Sequence, residues 1–105
     1  MDEALDVNAV AEMVSYQEGT IVSRILIKGK TGSVTLFAFA AGQELSEHTT
    51  PYDALVHLVD GEAAITVAGR PYRVRAGETL LMPAHQPHAL RAVSPFKMLL
   101  TMIRS

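Results

Sequence analysis

From Ile21 onward the chain breaks into short apolar runs separated by turn residues. IVSRILI (21–27), SVTLFAFA (33–40), DALVHLV (53–59), EAAITVA (62–68), PYRVR (71–75), ETLLM (78–82), HALRAV (88–93) and KMLLTMI (97–103) are rich in Val, Ile, Leu and Phe. Gly29–Gly32, Ala41–Gly42, Asp60–Gly61, Gly69–Arg70–Pro71, Ala76–Gly77 and Ser94–Pro95 punctuate them. Runs of this length, bounded by glycine and proline and with no helical period between them, predict strands. So many short strands in one small chain predict an all-β fold, an antiparallel barrel or sandwich.

Two runs, VTLFAFA and MLLTMI, are apolar on both faces. A strand with one face in water alternates cleanly. The second face of these strands is therefore expected to pack on another sheet or on a second subunit. Met98 and Met102 read as core filler in the last strand. Before the strands, residues 4–14 (ALDVNAVAEMV) place Val7, Val10 and Val14 on one helical face, and Asn8 or Asp6 could cap a short helix. Valine also favours extended chain, so an N-terminal arm is the alternative.

With 105 residues the chain makes one domain, 1–105, divided into an arm or short helix over 1–20 and a β-barrel over 21–105. A hydrophobic share of 49% against 19% charged residues excludes disorder. The net charge of −2 and the scattered Lys and Arg offer no field for nucleic acid, and no apolar segment is long enough for a bilayer. The absence of cysteine removes disulfides and thiolate chemistry. The acidic start, MDEALD, does not read as a signal peptide, which leaves a cytoplasmic protein as the expectation.

The chemistry concentrates between Gly42 and His88. One glycine-led segment, GQELSEHTTPYDALVHLVDG, delivers His48, and a second, GETLLMPAHQPH, delivers His88. Gly42, His48, Thr50, Ala54 and Gly61 fall at the spacing of the first motif of the cupin superfamily. Gly77, Pro83, His85, His88 and Ala92 fall at the spacing of the second. The chain thus resembles a small single-domain cupin of the conserved-barrel type. That resemblance implies a double-stranded β-helix, or jelly-roll barrel, with His48 and His88 facing one cavity.

It also implies a metal site of three histidines and a glutamate, and here the chain departs: Thr50 stands at a histidine position and Ala54 at the glutamate position. What the resemblance leaves is a divalent metal, Zn, Ni, Fe or Mn, weakly held by His48 and His88. A small molecule would be bound among His48, Thr50, Tyr52, Ala54 and His88. Of the carboxylates that could complete a metal shell, Glu47 and Asp53 should point away from the cavity, and Glu44 falls in a loop. A metal-dependent enzyme, dioxygenase- or isomerase-like, and a regulatory or structural module without catalysis remain alternatives. The resemblance implies a homodimer as well. His57, on the face opposite Ala54, is expected at a packing or subunit interface. His85 occupies a place the family gives to glycine and is expected in left-handed backbone. Pro51, Pro83 and Pro87 should shape the entrance loops.

Overall fold

The computed structural model describes residues 6–104. Nine strands follow one another: β1 (Ile21–Lys28), β2 (Gly32–Phe39), β3 (Glu44–His48), β4 (Asp53–Asp60), β5 (Glu62–Val67), β6 (Arg70–Arg75), β7 (Thr79–Met82), β8 (His88–Ala92) and β9 (Phe96–Ile103). They form a five-stranded sheet in the order β1-β2-β9-β4-β7 and a four-stranded sheet in the order β3-β8-β5-β6. All neighbours are antiparallel. The two sheets pack face to face, as an all-β jelly roll does. The eight expected runs are all strands. The ninth, β3, carries Glu44, which lies in this strand and not in a loop.

Alternation decides what fills the barrel. Ala54, Val56 and Leu58 of β4 point inward, as do Ala63, Ile65 and Val67 of β5, and with Phe39, Met82, Leu90, Phe96 and Met98 they make the core. Phe39 and Phe96 stack with ring centroids 4.4 Å apart. Met98 is core filler as expected, but Met102 is half-buried and lines a hollow described below. No helix among the described residues is long and apolar enough to cross a membrane.

The outer face of the five-stranded sheet explains the strands that are apolar on both sides. Leu36 and Ala38 of β2 are fully buried there, beneath Met13, Val14 and Tyr16 of the N-terminal segment. That segment of the same chain, and not another sheet, covers this half of the face. Its described part is irregular, with one 3-10 turn at Val10–Glu12. The helix expected over 4–14 does not form across the described part of that range; Ala4 and Leu5 lie outside the described residues. Neither Asn8 nor Asp6 caps the turn. Ala9 stands at its N-cap without a side-chain bond, and Asn8 donates to the Asp6 carbonyl at 3.2 Å. Val7 is fully exposed and only Val14 is buried. Valine and asparagine are weak helix formers, and the strap gains more by docking on the sheet.

Polar contacts fasten the strap. Arg24 donates to the Met13 carbonyl at 3.0 Å, and Lys97 donates to the Ala11 carbonyl. The Tyr16 hydroxyl donates to the Asp60 carboxylate, and the Lys97 ammonium lies 5.0 Å above the Tyr16 ring. Burial, then the bond to Asp60 and its charge, push the Tyr16 hydroxyl well above its ordinary range. A phenol that resists ionisation when folded contributes stability in full below its unfolded value of about 10 and loses it as pH rises further. Urea midpoints of wild type and Tyr16→Phe are therefore expected to differ by a constant amount from pH 7 to 9 and to converge above pH 10. A gap that stays constant to pH 11 would show that Tyr16 has no such role.

Candidate metal and ligand site

β3 and β8 are neighbours, and their register contains one irregularity. Leu45 pairs with Leu90, yet His48 pairs with His88, so β3 spends one more residue than β8 over the same span. Leu45 packs against the core. Simple alternation from Leu45 would turn His48 to the outer face, and the extra residue at Ser46–Glu47 reverses that phase. His48 thereby shares the inner face with His88. Bulges that re-aim a side chain are frequent beside functional sites.

The two rings meet. Their centroids are 4.3 Å apart at 71°, and the two Nε2 atoms are 3.1 Å apart. Each ring is held from behind by the carbonyl two residues earlier in the chain. His48 Nδ1 is 2.8 Å from the Ser46 carbonyl, and His88 Nδ1 is 3.2 Å from the Gln86 carbonyl. A carbonyl can only accept, so in each ring Nδ1 carries the hydrogen and Nε2 carries the lone pair. Two neutral rings held this way bring lone pair against lone pair. Only a proton or another cation between them makes the approach favourable. Burial of His88, followed by its proximity to His48, lowers its pKa, against a smaller opposite effect from the Gln86 carbonyl. His88 thus resists the proton.

The loops that carry these rings are stitched together. Pro83 to Pro87 lead into His88, and residues 49–52 follow His48. The Thr50 carbonyl accepts from the His85 amide at 2.8 Å, and the Asp53 carboxylate accepts from the Ala84 amide at 2.8 Å. Asp53 thus serves the loops. His85 has φ +66°, the left-handed backbone expected of it. The Pro87 carbonyl accepts from the Ala68 amide at 2.8 Å, which ties the same loop to the β5–β6 hairpin.

The remaining expected site residues do not gather so closely. The Thr50 hydroxyl is spent on the backbone of Tyr52, donating to its carbonyl at 3.2 Å and accepting from its amide at 3.3 Å. Ala54 is buried in the core, paired across the sheet with Met82 on one side and Met102 on the other. Tyr52 lines a hollow of about 320 Å³ with Ile25, Ser33, Thr35 and Met102, and the Arg104 guanidinium lies 5.9 Å from its ring. His57 is exposed on the outer face, paired with Leu99. Glu44 and Glu47 are exposed, and Glu44 stands opposite Arg91. Among the described residues, no third His, Cys, Asp or Glu joins the pair.

The donor set fits a metal ion in part. Ligand bonds of about 2.0–2.1 Å would place two cis imidazole nitrogens about 3.0–3.4 Å apart, which contains the separation found. The carbonyls behind the rings supply the orientation that metal-binding imidazoles normally receive. His48 and His88 would hold such an ion through Nε2, and the ion would offer a Lewis-acidic centre for an incoming ligand. The Ser46 and Gln86 carbonyls are functional groups that no side-chain pattern marks. Their signal is positional: each lies two residues before its histidine.

Comparison with known proteins agrees with this fold. A family model described as the cupin domain matches residues 35–103. The structure of a conserved protein of unknown function from Streptococcus pyogenes is 37% identical, covers 96% of this chain and 89% of its own, and superposes with a TM-score of 0.92. A cupin 2 conserved barrel domain protein from Leptotrichia buccalis is 42% identical over 90% of this chain and 46% of its own, with a TM-score of 0.86. A curated relative, the polyketide synthase CurC of Streptomyces cyaneus, is 27% identical over 75 residues, which is 70% of this chain. The chain spans about half the length of that relative, 49%.

Proposed function

The chain belongs to the cupin domain family, and from that premise we propose that it binds a small molecule through a divalent metal ion held by His48 and His88. One observation carries this reading. Both Nδ1 atoms face backbone carbonyls while both Nε2 atoms face each other at 3.1 Å, so two lone pairs converge on one point. Two neutral imidazoles suit a late first-row ion such as Ni or Zn, and so small a donor set suits an exchangeable one.

Calorimetry with NiCl2 on protein purified without an affinity tag tests it. Wild type is expected to bind about one ion per chain, and His48→Ala and His88→Ala are each expected to weaken it by about 10- to 100-fold. Equal binding by wild type and both variants would place the ion elsewhere and sink the reading.

The same premise extends to assembly. Beyond the strap, the outer face of the five-stranded sheet presents a row that crosses every strand: Ile27, Val34, Thr101, Leu55 and Leu81. Ile27 is 67% exposed, Leu81 56% and Leu55 42%, and Ile103 adds another 58% beside them. This row has no charge to recruit a charged partner, and an apolar row open to water favours a matching one. A second copy of the chain supplies that match, giving a homodimer. Light scattering at micromolar concentration is expected to return about twice the 11.4 kDa of one chain. Leu81→Lys should return the mass of one chain. A single-chain mass for wild type would contradict the dimer.

A further inference from the structure

The hollow beside Tyr52 lies where the β1–β2 turn meets the last residues of β9, and neither His48 nor His88 lines it. Thr35 shares the face of β2 that carries Phe37 and Phe39 into the core, and Ser33 continues that face toward the turn. Residues paired across strands share a face, so two rows meet in the hollow. One is Lys28, Ser33 and Met102, and the other is Ile25 and Thr35. Ile25 and Lys28 are three residues apart, a spacing that sets side chains of a regular strand on opposite faces. An irregularity at Leu26 changes that. Ile25 pairs with Thr35 and Ile27 with Val34, so β1 has one extra residue and Lys28 is brought to the hollow.

The lining has one chemical bias. Lys28 is its charged residue, and no Asp or Glu lines it. Arg104 adds a second cation, 5.9 Å from the Tyr52 ring. Among the described residues, Lys28 has no ion pair, and the hydroxyls of Ser33, Thr35 and Tyr52 have no hydrogen-bond partner. Ile25, 58% exposed, and Met102 supply apolar walls. A volume of about 320 Å³ stands at the small end of ligand pockets. We infer that the hollow binds a small organic monoanion, a carboxylate carried on a flat apolar body, with aromatic acids as the simplest members. Lys28 meets the carboxylate, and the free hydroxyls donate to its oxygens. The body covers Ile25 and Met102, whose thioether suits the edge of an aromatic ring. This binding uses no metal and stands apart from the histidine pair.

Titration of isotope-labelled protein with benzoate in EDTA, read at the Ser33 and Thr35 amide resonances, tests this. Wild type is expected to give saturable shifts, with benzoate held about tenfold tighter than acetate or benzyl alcohol. Acetate has the charge without the body, and benzyl alcohol has the body without the charge. Lys28→Met should weaken benzoate by about fivefold. Lys30→Met, at a lysine that does not line the hollow, and His48→Ala should both leave it unchanged. Equal weakening by Lys30→Met would reduce the effect to diffuse charge attraction, and equal binding of acetate would remove the apolar body. Either result overturns the inference. So does benzoate binding that appears only when NiCl2 replaces EDTA, since the anion then sits at the histidine pair. Unshifted amides at millimolar benzoate overturn it as well, and leave the nickel reading standing.

Discussion

Replacing Gly61 by valine is expected to destabilise the chain by about 4 kcal/mol or more, a large part of what a domain this size possesses. Gly61 joins β4 of one sheet to β5 of the other, with φ +76°. A β-branched residue resists that backbone. Space is the larger difficulty. A Cβ at Gly61 would lie 1.9 Å from the Pro95 carbonyl oxygen and 2.8 Å from Phe96 Cα, and both are backbone. The neighbouring chain is pinned: the Glu62 amide donates to Ser94 Oγ at 3.0 Å, and the Glu62 carbonyl accepts from the Val93 and Ser94 amides. A shift there would carry into Phe96 and its stack on Phe39. Because the first side-chain carbon already clashes, Gly61→Ala should be nearly as severe. Urea denaturation of both variants checks this, and an alanine variant within about 1 kcal/mol of wild type would refute the close approach.

The second large effect concerns Thr50→His combined with Ala54→Glu, which places a histidine and a glutamate where the family pattern has them. Position 54 is 2% exposed and lies between Met82 and Met102. A carboxylate there without a partner costs about 2–4 kcal/mol, and the variant should unfold early when metal is absent. Nickel should reverse this. Two added ligands should tighten binding by about 100-fold or more, and an ion that binds only the folded chain stabilises it by mass action. Folding of the variant is thus expected to depend on metal, with a melting temperature that climbs steeply over a nickel titration. A variant whose melting temperature responds to nickel no more than that of wild type would show that positions 50 and 54 do not face the histidine pair.

Most of the barrel is legible in the sequence because its strands carry their own pattern. Val56 and Leu58, or Ala63 and Ile65, announce a buried face at every second residue. β3 is silent for the opposite reason. Its only apolar residue is Leu45, and Glu44, Ser46, Glu47 and His48 are all exposed, so nothing distinguishes it from a loop. Spacing finds His48 and His88 but not why they converge. The bulge is a matter of register against β8, and the carbonyls of Ser46 and Gln86 belong to a backbone common to all residues. The N-terminal strap is illegible for a related reason. Valines at 7, 10 and 14 fit a helical face as well as an extended chain, and only the long-range partners Leu36 and Ala38 decide between them.

The single surplus residue of β3 separates the durability of this barrel from its chemistry. The core closes through Phe39, Leu58, Ile65 and Phe96, none of which senses which way His48 points. A lineage that lost one residue between Leu45 and His48 would keep the packing of that core and would turn the imidazole away from His88. The binding proposed above would then be lost in one step, and an insertion at the same place would return it. On the metal reading, selection for binding would act on the length of a short polar segment as much as on the identity of the two histidines.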